Sequence, residues 1–204
     1  MKWLFGSLAL CISLAGYAEG VAAGERRETL STEDSQEEAL SFNDYPPIYF
    51  SNASYSLAAV SALGDSLQLH DGSLWRVNPY DGNKALSWRL SDVLMVTQNG
   101  RWFSSYQYRL INKSTGASIE ANLDYGPPLD GAFTRFVRNL DGQQRIVELT
   151  DGSVWQVLDS DVERFRKWME GDEVLAGFNS GWGIGYDYIL INVQLDAFVR
   201  ARPY

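Results

Sequence analysis

Six of the seven tryptophans fall into three pairs with one spacing of 80 residues: Trp75 with Trp155, Trp88 with Trp168, Trp102 with Trp182. A rare residue recurring three times in one register marks an internal duplication, so the chain must fold into something that can be built twice. Aligned at that offset, 69–112 and 149–192 share 16 of 44 positions. Leu69, Asp71-Gly72-Ser73, Trp75 and Val77 meet Leu149, Asp151-Gly152-Ser153, Trp155 and Val157. Asp92, Asn99, Tyr106, Tyr108 and Leu110-Ile111-Asn112 meet Asp172, Asn179, Tyr186, Tyr188 and Leu190-Ile191-Asn192. Pro46-Pro47 answers Pro127-Pro128, which divides the chain into a first module over 45–125 and a second over 126–204.

Within each module, short apolar runs alternate with turn chemistry. The first has runs at Tyr55–Ala62, Leu67–His70, Leu74–Val77, Val93–Thr97, Tyr106–Asn112 and Ser118–Leu123. The second has them at Phe133–Asn139, Arg145–Leu149, Val154–Leu158, Val174–Phe178, Tyr186–Val193 and Asp196–Ala201, with a last turn that reads four residues shorter. An Asp-Gly pair between alternating apolar residues is a hairpin signal, because glycine accepts the positive φ that the turn requires. One stretch changes period. Ser160 stands as a cap before a run in which Val162, Phe165 and Trp168 share a helical face, and a more irregular counterpart spans Lys84–Trp88. The expectation is an all-β chain of two tandem small barrels or rolled sheets, SH3-like or OB-like, each with one short helical turn. A domain of about 80 residues buries only about 60–65% of its unfolded surface, so the modules are expected to pack against each other.

The first 23 residues have the pattern of an export signal: Met1-Lys2, an apolar run from Trp3 to Leu14, then small residues, with cleavage after Ala18 or Ala23. That run is too short for a membrane span, which takes about 20 apolar residues. Cys11 is the single cysteine and follows Leu10, where a lipoprotein signal carries a small residue, so lipidation is not expected. Residues 24–44 hold seven acids against two bases and little to bury, the composition of a disordered acidic linker. From Tyr45 onward 18 acids face 14 bases, a net charge of −4. No basic cluster is present to neutralise phosphates, so nucleic acid and anionic lipid are poor partners.

Chemistry-bearing residues are few. His70 is the only histidine and Thr150 replaces it in the second module, which leaves no histidine-based triad and no metal set. Asp71 and Asp151 are accounted for as turn residues, and Asp92 and Asp172 as the residues that start strands. Gly181-Trp182-Gly183-Ile184-Gly185 precedes a strand and not a helix, so it is a loop and not a phosphate cradle. Trp75, Trp155, Trp88 and Trp168 lie where a barrel needs bulk. Trp102 and Trp182 lie in Gly/Ser-rich loops, where a large aromatic is a contact residue. No catalytic residue, metal or cofactor is expected, and the binding candidates are Trp102, Phe103, Tyr106, Trp182 and Tyr186.

The export signal, the polar spacer and the L-x-DGS-x-W and Y-x-Y-x-LIN strands together resemble a group of uncharacterised exported proteins of chlamydiae and related intracellular bacteria. The resemblance covers residues 45–204 and implies an exported bacterial protein of the periplasm, outer envelope or medium, with no activity or site to carry over. The expected function is a non-enzymatic binding or structural protein meeting a protein, peptide or glycan through its aromatic loops. Two alternatives stay open: an SH3-like peptide-binding module, and a glycan hydrolase using Asp92 and Asp172 as its acid pair.

Overall fold

The computed structural model describes residues 53–181, 183 and 185–204. The signal segment, the acidic linker, Pro46-Pro47, Trp182 and Ile184 lie outside them. The described residues all belong to one compact unit.

Six strands make the first half: β1 (Ser54–Val60), β2 (Ser66–Leu69), β3 (Leu74–Val77), β4 (Val93–Gln98), β5 (Tyr108–Asn112) and β6 (Ser118–Tyr125). β1-β2-β3 and β4-β5-β6 are antiparallel meanders, joined edge to edge by β3–β6 and closed into a barrel by β1–β4. The second half has β7 (Arg135–Asp141), β8 (Ile146–Leu149), β9 (Val154–Val157), β10 (Glu173–Phe178), β11 (Tyr188–Asn192) and β12 (Ala197–Pro203), closed in the same order by β7–β10. Each barrel inserts a 3-10 turn and one helical turn before its fourth strand: Pro79–Asp81 with α1 (Gly82–Leu86), and Asp159–Asp161 with α2 (Val162–Phe165). The molecule is therefore all-β, with barrel modules carrying short helical turns.

The residues shared at the 80-residue spacing are those that tie each barrel together. Asp71 Oδ1 accepts from the Ser73 amide (3.0 Å) and hydroxyl (2.7 Å), and Ser73 Oγ accepts from Trp75 Nε1 (2.9 Å). Trp155 Nε1 donates to Ser153 Oγ in the same way at 2.8 Å. The DGS-x-W pattern is thus one hydrogen-bonded unit that lets an indole N–H enter the core satisfied. Each indole then meets a tyrosine edge to face, Trp75 with Tyr108 at 5.5 Å and Trp155 with Tyr188 at 5.2 Å. Trp88 and Trp168 are buried, one in each barrel's core.

Asp92 and Asp172 are straps. Each Oδ2 takes a backbone N–H three residues upstream (2.9 and 2.8 Å) and the side-chain amide of Asn112 or Asn192 (2.6 Å in both). These acids close structural hydrogen bonds within their own barrels.

Two expectations need correction. The last turn of the second half is not shorter. Ile111 pairs with Ser118 and Ile191 with Phe198, so the 80-residue register continues to the end. Gly116 at φ 71° has no glycine twin; Asp196 takes the left-handed position at φ 45°. The helix expected from Ser160 to Trp168 is a 3-10 turn followed by a single turn, and Ser160 does not cap it. Ser160 Oγ accepts from Arg200 Nη2 instead (2.8 Å), while Asp161 is buried and receives the Arg200 amide and guanidinium.

The barrels are joined by β4 and β10, which pair in parallel at Thr97 and Phe178. The backbones approach closely there: a Cβ on Gly177 would lie 2.7 Å from the Val96 carbonyl oxygen. β11 is buried along its whole length, Tyr188 and Leu190 in the second core and Ile189 and Ile191 in the first. Leu175 also belongs to the first core. Full burial of one such side chain contributes about 1.5–3 kcal/mol, so the second barrel supplies part of the first barrel's stability.

Candidate aromatic contact surface

The loop between β4 and β5 is built from its foot upward. Asn99 donates its amide N–H to Gln107 O (2.7 Å) and its side-chain Nδ2 to Tyr106 O (2.9 Å), and its Oδ1 accepts from the Arg101 amide (3.2 Å). Asn122 of β6 donates to Ser105 O (3.1 Å) and accepts from the Gln107 amide (2.7 Å). Buried Glu120 is the central tie. Its Oε2 accepts from Ser104 Oγ and from Asn78 Nδ2, both at 2.9 Å, and its Oε1 lies 3.3 Å from Arg101 Nη1. Burial works against its charge, but hydrogen bonds from Asn78, Ser104 and Asn99 and the Arg101 charge outweigh it and hold the carboxyl below its usual range.

This bonded frame presents Trp102 and Phe103 to solvent, 90% and 96% exposed. Asn78 also anchors the 3-10 turn, its Oδ1 accepting from the Tyr80 amide (3.1 Å), and the Tyr80 side chain is 94% exposed. Three nearly naked aromatics are therefore mounted on segments that converge on one carboxylate. Sequence reasoning named Trp102 and Phe103 and missed Tyr80. It also missed Glu120, whose partners lie 16 to 42 residues away.

The other candidates sit lower. Tyr106 is half-buried at the foot of its loop, with its amide on Ser104 Oγ (3.1 Å). Tyr186 is its equivalent below the loop after β10, half-buried, with the Arg202 guanidinium over its ring at 5.1 Å. Because β4 and β10 run parallel, both loops leave the same side of the molecule and their feet touch. The Gln98 side chain bonds to the Asn179 side chain, and its Oε1 accepts from the Ser180 amide (3.3 Å).

A second polar feature lies at the seam between the barrels. Ser54, Tyr55 and Ser56 of β1, His70 and Asp71 after β2, and Phe133 and Arg135 at β7 line an open cavity of about 190 Å³. Arg135 pairs with Asp151 at 2.7 Å, and Tyr55 donates its hydroxyl to Ala176 O (2.6 Å). Asp71 Oδ2 and Glu173 Oε1 are buried without a hydrogen-bond partner. Burial raises the Asp71 carboxyl above its usual range against the Ser73 hydrogen bonds and the Arg135 charge. Burial raises Glu173 as well, and the Asp71 charge adds to it. The turn role expected for Asp71 uses only one of its oxygens.

Among the described residues no group of three or more His, Cys, Asp or Glu is arranged to hold a metal ion, and no helix is long and apolar enough to cross a membrane. No family model, curated protein or solved structure matches this chain.

Proposed function

We propose that the protein is an exported, non-enzymatic binding protein of the bacterial envelope, in which the duplicated barrels serve as a scaffold and the aromatic surface around Glu120 makes the contact. The observation that carries this reading is the exposure of Trp102 and Phe103 on a loop whose foot is fixed by side-chain hydrogen bonds. Leaving large aromatics in water has no benefit to folding, whereas holding them in one geometry lowers the entropy that a partner must remove on binding. The export signal and acidic linker of the sequence fit a scaffold held at a distance from its point of attachment or release.

The test is retention by isolated envelope fractions, membranes and sacculi together, measured by co-sedimentation. Trp102→Ala/Phe103→Ala is expected to lose most of that retention while thermal stability stays within about 0.5 kcal/mol of wild type, as for exposed sites generally. Undiminished retention by the double variant would refute the assignment, and an unfolded double variant would return both residues to structure.

A further inference from the structure

We infer that the partner of this surface is the interface of a zwitterionic lipid bilayer without net charge, into which Tyr80, Trp102 and Phe103 insert. The inference rests on the contact role proposed above and adds the chemical class of what is contacted.

Three observations favour lipid over the other occupants. A glycan platform needs a ring lying flat on the protein, one face packed and one free, beside fixed polar groups. Phe103 at 96% and Trp102 at 90% exposure have no packed face, which is the geometry of insertion and not of a platform. A peptide groove needs concave apolar walls, whereas these side chains project outward from a closed barrel. The third observation is composition. Tryptophan and tyrosine with a more apolar neighbour is the set that settles at the depth of lipid headgroups, amphipathic rings at the boundary and phenyl slightly deeper.

Charge decides which lipid. Within 99–107 the only formal charge is Arg101, neutralised locally by Glu120. The body of the chain is acidic, 18 acids against 14 bases from Tyr45 onward, a net charge of −4. An anionic surface would repel the body of the molecule, while a zwitterionic one leaves the aromatic contribution unopposed. Two or three inserted rings give a weak, reversible attachment, as a single acyl chain does.

The experiment is co-sedimentation of the full chain with phosphatidylcholine vesicles at ~1 mM lipid, a concentration chosen for attachment of this strength. Wild type should pellet with the vesicles, and phosphatidylglycerol added to the same vesicles should reduce the bound fraction. Tyr80→Ala/Trp102→Ala/Phe103→Ala should lower the partition coefficient at least tenfold. Met169→Ala, which removes an exposed apolar side chain in the turn between α2 and β10, should leave it unchanged. Absence of wild-type pelleting, or equal pelleting of the triple variant, overturns the lipid assignment. If envelope retention still depends on Trp102 and Phe103 in that case, the contact surface stands and its partner is a protein or glycan. If envelope retention is also insensitive, both readings fall.

Discussion

Replacing Glu120 with glutamine keeps the shape of the tie and removes its charge. Wild-type Glu120 accepts two hydrogen bonds at 2.9 Å from Asn78 and Ser104 and faces Arg101 at 3.3 Å. A hydrogen bond to a charged acceptor contributes about 1 kcal/mol more than a neutral one. The Arg101 side chain is mostly in water, so that pair adds no more than about 0.5 kcal/mol. Glu120→Gln should therefore cost roughly 2–3 kcal/mol at pH 7. For a folded unit of this size that is roughly 5–10 °C in Tm by circular dichroism. The pH dependence has a fixed sign. The Glu120 carboxyl is held below its unfolded value, so its stabilisation is full above the unfolded pKa and is lost as pH falls through the folded one. The gap between wild type and Glu120→Gln should be widest near neutrality and close in strong acid. The variant should also bind vesicles less well although every aromatic is still present, because the loop and the Tyr80 turn are no longer tied to one point. Equal melting temperatures at pH 7, or a gap that persists unchanged below the carboxylate range, would refute the role given to Glu120.

Glu173→Gln should behave in the opposite sense. Its carboxyl is raised by burial and by Asp71, so the wild-type penalty is absent below the unfolded pKa and complete above the folded one. The variant should gain about 1 kcal/mol at pH 7 in urea unfolding, with the gain vanishing in acid. Gly177→Ala places a methyl 2.7 Å from the Val96 carbonyl oxygen and should destabilise by about 2 kcal/mol or more, with both barrels melting together since β10 and β11 serve both cores.

What was legible in the sequence follows from which residues the two barrels share at the 80-residue spacing. The DGS-x-W unit, the Asp92–Asn112 and Asp172–Asn192 straps and the Asn99 and Asn179 loop ties all use local or same-barrel partners, so they recur together and mark strand positions directly. The last turn reads as shorter because the second half has no glycine matching Gly116; Asp196 takes the left-handed position in its place. The helix was overextended because Ser160 looked like a cap, while in space Arg200, 40 residues away, engages it. The candidate site divides the same way. Trp102 and Phe103 stand out in a loop of small residues, but Glu120 acquires its meaning only through its bond to Asn78, 42 residues away, and Tyr80 joins the site through the same Asn78, which binds its amide locally. The seam was invisible for a different reason: apart from Asp71 and Asp151, it forms where the halves differ. Tyr55 answers Arg135, His70 answers Thr150 and Val93 answers Glu173, so a search for identities passes over them.

Closure of the two barrels has a consequence for how this protein can meet others. Every described strand already has a hydrogen-bonded neighbour on each side, and β4 and β10 have three. Among the described residues no strand stands at a free end of the sheet, the usual place both for peptide capture by sheet extension and for runaway polymerisation. An association made through the faces of these closed barrels is written in side chains, and so can be erased one residue at a time.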